Sequence, residues 1–295
     1  MYSFKRWGIF YNNGGVAVEF KRRYVAEFLK TKIALLKELI IFTRPETGLF
    51  LSGMAVSGYL LFNGPAAVMV FLFLTAFFTT ASAYSYNYLT DKKEDLVNNK
   101  KLNLFVVNGK GILAVAGFTL MSFIFASFLP GPAFILYIVW VTSGIYYSKY
   151  GVKKVFLVKN IYTGVAMSLA FLIGALAGGQ FTGSMLYYVP IIALVGFSIN
   201  VLGDLRGYDG DKHVGIRTIP VLFGFDAGKK VLCASLCIIL LSIVGLQYRG
   251  LYPLVLPLLL ALAFLVKNDL KKTRYSILSS QMILAIALFI SGFIS

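Results

Sequence analysis

Two stretches hold half of the acidic residues of this chain at spacings that suit metal chemistry. Asn87, Asp91 and Asp95 stand four residues apart in NYLTDKKED, and Asn200 and Asp204 repeat the pattern in NVLGD, with Asp209 and Asp211 close behind. Both copies read N-x-L-x-D. Residues four apart share one helical face, so the amide and carboxylates of a set point the same way, Asp95 included if the helix persists another turn. Carboxylates held that close repel unless a cation lies between them, and Mg2+ takes one or two protein carboxylates with phosphate oxygens and water. Two such sets facing each other would clamp a diphosphate through bridging Mg2+, with Asp91, Asp95, Asp204 and Asp211 as candidate metal ligands. One DxxxD alone reads more readily as a solvated loop whose acids balance nearby lysines. Charge balance does not account for the same Asn and Leu in both copies.

A leaving diphosphate needs positive charge around it, and Arg44, Lys149, Lys153, Lys154, Arg206, Lys212 and Arg217 are the candidates. Arg206, two residues past Asp204, and Lys153, in a short loop beside several tyrosines, are the strongest. Arg44, Lys153, Arg206, Asn87, Asn200 and Tyr147 form the candidate diphosphate-binding set. Of 18 tyrosines, Tyr84, Tyr86, Tyr88, Tyr146, Tyr147, Tyr150, Tyr162 and Tyr208 fall near one end of the apolar runs. An interfacial belt explains most of them; any that line a cavity would present ring faces to a carbocation. His213 is the only histidine, so a protein base would have to be a carboxylate, tyrosine or lysine. Asp204 and Asp209 are the candidates, which makes the catalytic set Asp91, Asp95, Asp204 and Asp209. Cys233 and Cys237, four apart in an apolar run, read as small core residues rather than a metal or disulfide pair.

The elements that must position these groups are apolar. The 295 residues are 58% hydrophobic and 14% charged, against about 45–50% and about 25% in soluble domains. Windows of roughly 20 apolar residues, enough to cross a bilayer, recur along the chain. Nine spans are predicted: Glu46 to Phe62, Ala66 to Thr90, Gly111 to Phe128, Gly131 to Ser148, Asn160 to Gly178, Tyr187 to Gly203, Lys229 to Gln247, Leu251 to Val266 and Tyr275 to Ile294. The first span starts either there or nearer Lys32 with a kink at Pro45. The runs are continuous, unlike the short alternating segments of a membrane barrel. The expected fold is therefore all-α, a polytopic bundle with a cytoplasmic cap over the site.

With nine spans, every Lys and Arg except Arg249 falls on one side of the membrane, together with all twelve acids. That side is cytoplasmic by the positive-inside rule, which puts the N-terminus inside and the C-terminus outside. The net charge of +16 then reflects topology and anionic lipid, and no nucleic-acid partner is implied. Residues 1–43, with Lys21, Arg22, Arg23, Lys30, Lys32 and Lys37 among apolar positions, lack the plan of a signal peptide. They read as a basic segment, partly an amphipathic helix on the membrane surface, ahead of a single domain over 44–295.

Asn87, Asp91 and Asp95 resemble the NxxxDxxxD signature that follows the second helix in the UbiA family of intramembrane prenyltransferases. Asp204, Gly210, Asp211, Gly215, Thr218, Pro220 and Gly224 resemble the second signature, DxxxxxGDxxxGxxTxPxxxG, in the branch with chlorophyll synthases and archaeal digeranylgeranylglyceryl phosphate synthases. Arg206 and Asp209 stand where that branch often has a basic and an acidic residue. The resemblance implies Mg2+-dependent transfer of a polyprenyl group, such as that of geranylgeranyl diphosphate, to a lipophilic acceptor at a prokaryotic plasma membrane. That acceptor is a lipid glycerol phosphate or an aromatic quinone precursor. The chain departs from the family after the first motif, where NNKKLNLFVVNGKG keeps Asn98 and Gly109 but lacks the usual prolines and arginine, whose charge Lys100 or Lys101 would supply. It also has Tyr88 where relatives often have Asp. Two other readings stand beside this one. A secondary transporter would place acids near the bilayer midplane, and no predicted span does. A non-catalytic binder of prenyl diphosphates or quinones would not need both carboxylate sets.

Overall fold

Apolar runs, punctuated by Pro, Gly and charged clusters, fold here as helices joined by short connections. A computed structural model describes residues 14–62, 66–97, 101–151, 155–179, 183–245, 247 and 249–294. Lys153, Lys154, Asn98 and Lys100 therefore lie outside the described residues. In order the helices are α1 (Gly14–Thr43), α2 (Pro45–Leu61), α3 (Ala66–Thr90), α4 (Lys92–Val97), α5 (Leu104–Val107), α6 (Gly111–Ala126) and α7 (Gly131–Lys149). They continue with α8 (Val158–Gly178), α9 (Gly183–Arg206), α10 (Tyr208–Val214), α11 (Ile219–Phe223) and α12 (Phe225–Gly245). A 3-10 helix (Arg249–Leu254) then leads into α13 (Val255–Val266), and α14 (Leu270–Ile294) closes the chain. No strand occurs among the described residues.

The predicted spans fall on helical segments, Leu251 to Val266 on the 3-10 helix and α13 together, and among the described residues six segments are long and apolar enough to cross a membrane by themselves: Ala67–Thr90, Val158–Gly178, Met185–Arg206, Phe225–Gly245, Arg249–Val266 and Leu270–Ile290. At 17 and 16 residues, α2 and α6 span only about 25 Å at 1.5 Å per residue. Leu113, Leu120, Ile135, Leu241, Leu256 and Val266 stay more than half exposed. Outward apolar surface on that scale suits lipid, not water. The protein is an integral membrane protein.

Helix bounds differ from the sequence expectation where charge and capping intervene. α1 does not kink into α2: it ends at Thr43, and Arg44 adopts a left-handed conformation (φ 47°, ψ 63°) before Pro45 opens α2. Pro45 disfavours right-handed helix in the residue before it, which makes a break at Arg44 the local solution. α14 begins at Leu270 rather than Tyr275 because Asp269 caps it, accepting the Lys272 backbone N–H at 2.9 Å. That bond holds the Asp269 carboxyl below its usual range. α9 runs past Gly203 to Arg206, so Asp204 belongs to the helix and not to the following loop.

α2 is buried along most of its length, from Thr47 to Tyr59 apart from Leu49, as expected of a helix apolar on all sides. It packs closely on α8, where Gly174 and Gly178 form a G-x-x-x-G step. A Cβ at Gly174 would sit 1.8 Å from the Ala55 carbonyl oxygen, and one on Gly58 in α2 would sit 2.1 Å from that of Phe171. Without Cβ atoms the two backbones touch, the usual device for gaining packing where lipid supplies no hydrophobic drive. This contact fixes α8 beside α2 and α9, and α8 carries part of the site.

Candidate functional site

The first motif stays helical through its aspartates. The Asp91 amide donates to the Asn87 carbonyl at 2.9 Å and the Asp95 amide to the Asp91 carbonyl at 2.9 Å, carrying the i, i+4 pattern from α3 across a turn at Asp91 into α4. Asn87, Asp91 and Asp95 thus lie on one face, each half-buried. Ser148 at the end of α7 donates its hydroxyl to Asn87 Oδ1, which fixes the amide with its nitrogen available to a ligand.

The second motif is held differently. Asp204 is 2% exposed; its Oδ1 pairs with Lys159 Nζ, and its Oδ2 accepts Asn160 Nδ2 at 2.9 Å. Asn160 Nδ2 also reaches Asn200 Oδ1 at 2.9 Å, and Asn200 Nδ2 donates to Thr163 Oγ1 at 3.0 Å. A buried carboxylate needs this treatment, because an unpaired charge in the interior costs several kcal/mol. The partners all come from α8. Lys159, Asn160 and Thr163 are not among the sequence candidates; the available signal was Lys-Asn heading an apolar run, at the same end as the two motifs.

Asn87 and Asn200, one from each motif copy, line the same cavity of about 460 Å³, together with Arg44 and Tyr147. The Arg44 guanidinium lies over the rings of Tyr84 at 5.0 Å and Tyr88 at 5.5 Å. Burial opposes its charge, but the phenol groups of Tyr84 and Tyr88, with Glu46, outweigh burial and raise its pKa above the ordinary arginine value. It is a cation at any working pH. Tyr147 stacks on Tyr162, ring centroids 4.2 Å apart and nearly parallel, and both rings face the cavity.

Other candidates lie apart from this cavity. Arg206 is exposed in the last turn of α9. Asp209 is exposed and Asp211 half-buried on α10, and none of the three lines the cavity wall. Among the described residues no three Asp, Glu, His or Cys side chains gather closely enough to hold a metal by themselves. Mg2+ does not require such a cage when phosphate oxygens complete its shell. Asp91 and Asp95, hard oxygen donors on the helical face that Asn87 shares, suit it, although neither they nor Asp204 line the cavity wall itself. Asp204 already has a cation, the Lys159 ammonium, at one oxygen.

An all-helical membrane bundle thus brings the asparagines of both motif copies to one cavity. The sequence matches the UbiA prenyltransferase family over residues 48–292, and the chain belongs to that family. Its fold is similar to that of a UbiA homologue from Archaeoglobus fulgidus bound to GPP and Mg2+, with TM-score 0.67 and 20% identity, covering 87% of this chain and 98% of that one. A UbiA homologue from Aeropyrum pernix K1 superposes with TM-score 0.71 at 18% identity, covering 84% and 98%. A digeranylgeranylglyceryl phosphate synthase structure gives 0.60 at 17% identity, covering 87% and 98%. In sequence, chloroplastic chlorophyll synthase of Oryza sativa subsp. japonica is 24% identical over 72 residues, 24% of this chain and 19% of that protein. The match therefore spans about a fifth of that relative.

Proposed function

We propose that this protein transfers a prenyl group from a prenyl diphosphate, such as geranylgeranyl diphosphate, to a lipophilic acceptor within the bilayer, with Mg2+ at the diphosphate. The observation that carries this reading is the meeting of Asn87, Asn200 and Arg44 on one cavity, with Asp91, Asp95 and Asp204 belonging to the same two motifs and Lys159 of α8 paired with Asp204. Structural relatives bound to GPP or DMAPP with Mg2+ support it. The acceptor is a lipid glycerol phosphate or an aromatic quinone precursor.

In this reading Asn87, Asn200, Arg44 and Lys159 donate to diphosphate oxygens, with Lys153 and Arg206 as further candidate cations. Asp91 and Asp95 would hold Mg2+ with phosphate oxygens and water completing its shell, and Asp204 and Asp211 are the further candidate ligands. Bound Mg2+ would supply charge neutralisation to the leaving group. The allylic C–O bond breaks with its electron pair leaving on the diphosphate, and Tyr84, Tyr147 and Tyr162 face the resulting cation. An electron pair of the acceptor forms the new bond to carbon, and the proton that the acceptor gives up passes to the released diphosphate. Asp209 stands away from the cavity wall and is a candidate only for a later proton relay.

Protein in lipid nanodiscs, given geranylgeranyl diphosphate, Mg2+ and an acceptor panel, should release diphosphate and form a prenylated product seen by mass spectrometry. Chelation of Mg2+ should stop both. Absence of binding and turnover with every acceptor would sink the reading, and solute movement across sealed vesicles would favour a transporter.

The motif loops and the N-terminus face the cytoplasm of a prokaryotic cell in this proposal, and the basic segment over 1–43 precedes a single domain over 44–295. On α1, Leu29, Ile33, Leu36 and Ile40 form one exposed apolar stripe, flanked by Lys30, Lys32 and Lys37. This pattern suits an anionic headgroup layer. In a cysteine-free background, a fluorophore at position 36 should be quenched by lipid-borne quenchers. Lys212→Cys should react with an impermeant maleimide in inside-out vesicles only. Labelling in right-side-out vesicles instead would reverse the orientation.

A further inference from the structure

Arg44 is the only charged side chain on the cavity lining among the described residues, and a carboxylate stands two positions away in the chain. Arg44 is the N-cap of α2, Pro45 its first residue and Glu46 its second. The Arg44 carbonyl accepts the Thr47 amide at 2.9 Å and the Gly48 amide at 3.3 Å, so backbone bonds hold both residues in one turn. The Glu46 charge bears on the Arg44 guanidinium from there. A full pairing of the two would cancel the positive charge of the wall where a diphosphate needs it. With the backbone fixed, only the direction of the carboxylate is left for the fold to decide.

The carboxylate turns to another helix. Glu46 Oε1 accepts Arg274 Nη2 of α14 at 3.0 Å, and none of the ion pairs among the described residues includes Arg44. Asp269, the acid nearest to Arg274 in sequence, pairs with Lys272 at 3.1 Å and does not compete. Helix packing supplies the register. Gly53 follows Glu46 by seven residues and Gln281 follows Arg274 by seven, and a Cβ on Gly53 would sit 2.9 Å from the Gln281 backbone carbonyl carbon. Seven residues make about two helical turns, so Glu46 and Arg274 stand on the facing sides of α2 and α14, in step with their close approach.

We propose that Arg274 is a positioning residue: by holding Glu46 it keeps that carboxylate off Arg44, whose charge then stays open to the anionic end of the substrate. The proposal rests on the prenyl-transfer reading and adds to it a residue outside the cavity lining. The Glu46 side chain is 42% exposed and that of Arg274 22%, and a pair so open to solvent contributes little stability. Its worth lies in where it points Glu46.

The test compares Arg274→Gln, Glu46→Gln and the double variant by their affinity for geranylgeranyl diphosphate with Mg2+, read from the concentration dependence of the melting temperature. Arg274→Gln releases Glu46 to Arg44 and should weaken binding about three- to tenfold, part of the worth of a charge-assisted contact. Glu46→Gln should bind as tightly as wild type or more so, the double variant should match Glu46→Gln, and Arg274→Lys should match wild type. A bridge that serves only to join α2 and α14 would make Glu46→Gln as harmful as Arg274→Gln and leave the double variant impaired, which overturns the proposal. Ligand-free melting temperatures give a second readout through the coupling between Arg44→Gln and Glu46→Gln. That coupling should be larger by about 1–3 °C in an Arg274→Gln background, where the two charges meet, than with Arg274 present. Equal coupling in both backgrounds overturns the proposal. The larger coupling in a protein whose wild type geranylgeranyl diphosphate fails to stabilise would keep the role of Arg274 and overturn the prenyl-transfer reading.

Discussion

Lys159→Met is expected to cost about 3–5 kcal/mol of stability, because it leaves Asp204 as a buried carboxylate without its cation. Asp204 is 3% exposed at its side chain and Lys159 23%, so water cannot replace the lost partner. The same variant should lower prenyl transfer by about a hundred- to a thousandfold, the cost of removing one donor to developing charge. Two further variants separate the effects. Adding Asp204→Asn to Lys159→Met removes the stranded charge and should recover most of the stability in a denaturant titration, with no recovery of diphosphate release. Lys159→Arg keeps the charge and should retain part of both. Wild-type stability and turnover in Lys159→Met would remove Lys159 from the site.

The second aspartate set looks like a copy of the first in sequence but sits in a different environment. NVLGD and NYLTD share spacing, and the asparagine of each copy lines the cavity while the aspartates four residues on do not. What spacing does not carry is the neighbour across the gap. Asp204 meets Lys159 and Asn160 because Gly174, Gly178 and Gly58 bring α8 against α2, with Gly164 of α8 close to α9. The bonds of Asp204 to Lys159 and Asn160 join residues over 40 positions apart in the chain. The all-helical fold was legible because hydrophobic runs of membrane length leave few alternatives. The bounds of α9 and α14 were less so, since capping by Asp269 and the helical course through Asp204 are local chemistry set against an apolar average. Arg206, favoured for its place within the motif, points to the surface. Arg44, one cation among many in sequence, is the one a left-handed break and two tyrosine rings hold against the cavity.

Asp91→Asn should therefore behave unlike any change at Asp204. Asp91 is half-buried on a helix turn that backbone hydrogen bonds already complete, and asparagine keeps its shape and acceptor oxygen. Stability should move by no more than about 0.5 kcal/mol, as for substitutions away from the core. Turnover with geranylgeranyl diphosphate should fall at least about a hundredfold, because one of the two carboxylates available to Mg2+ at this end is gone. The Mg2+ concentration needed for half-maximal rate should rise, a change that a packing defect would not produce. Asp95→Asn should show the same direction, one helical turn farther from the cavity. Turnover and Mg2+ dependence both like wild type in Asp91→Asn would refute the two-sided clamp and leave the Lys159–Asp204 side as the whole of the diphosphate site.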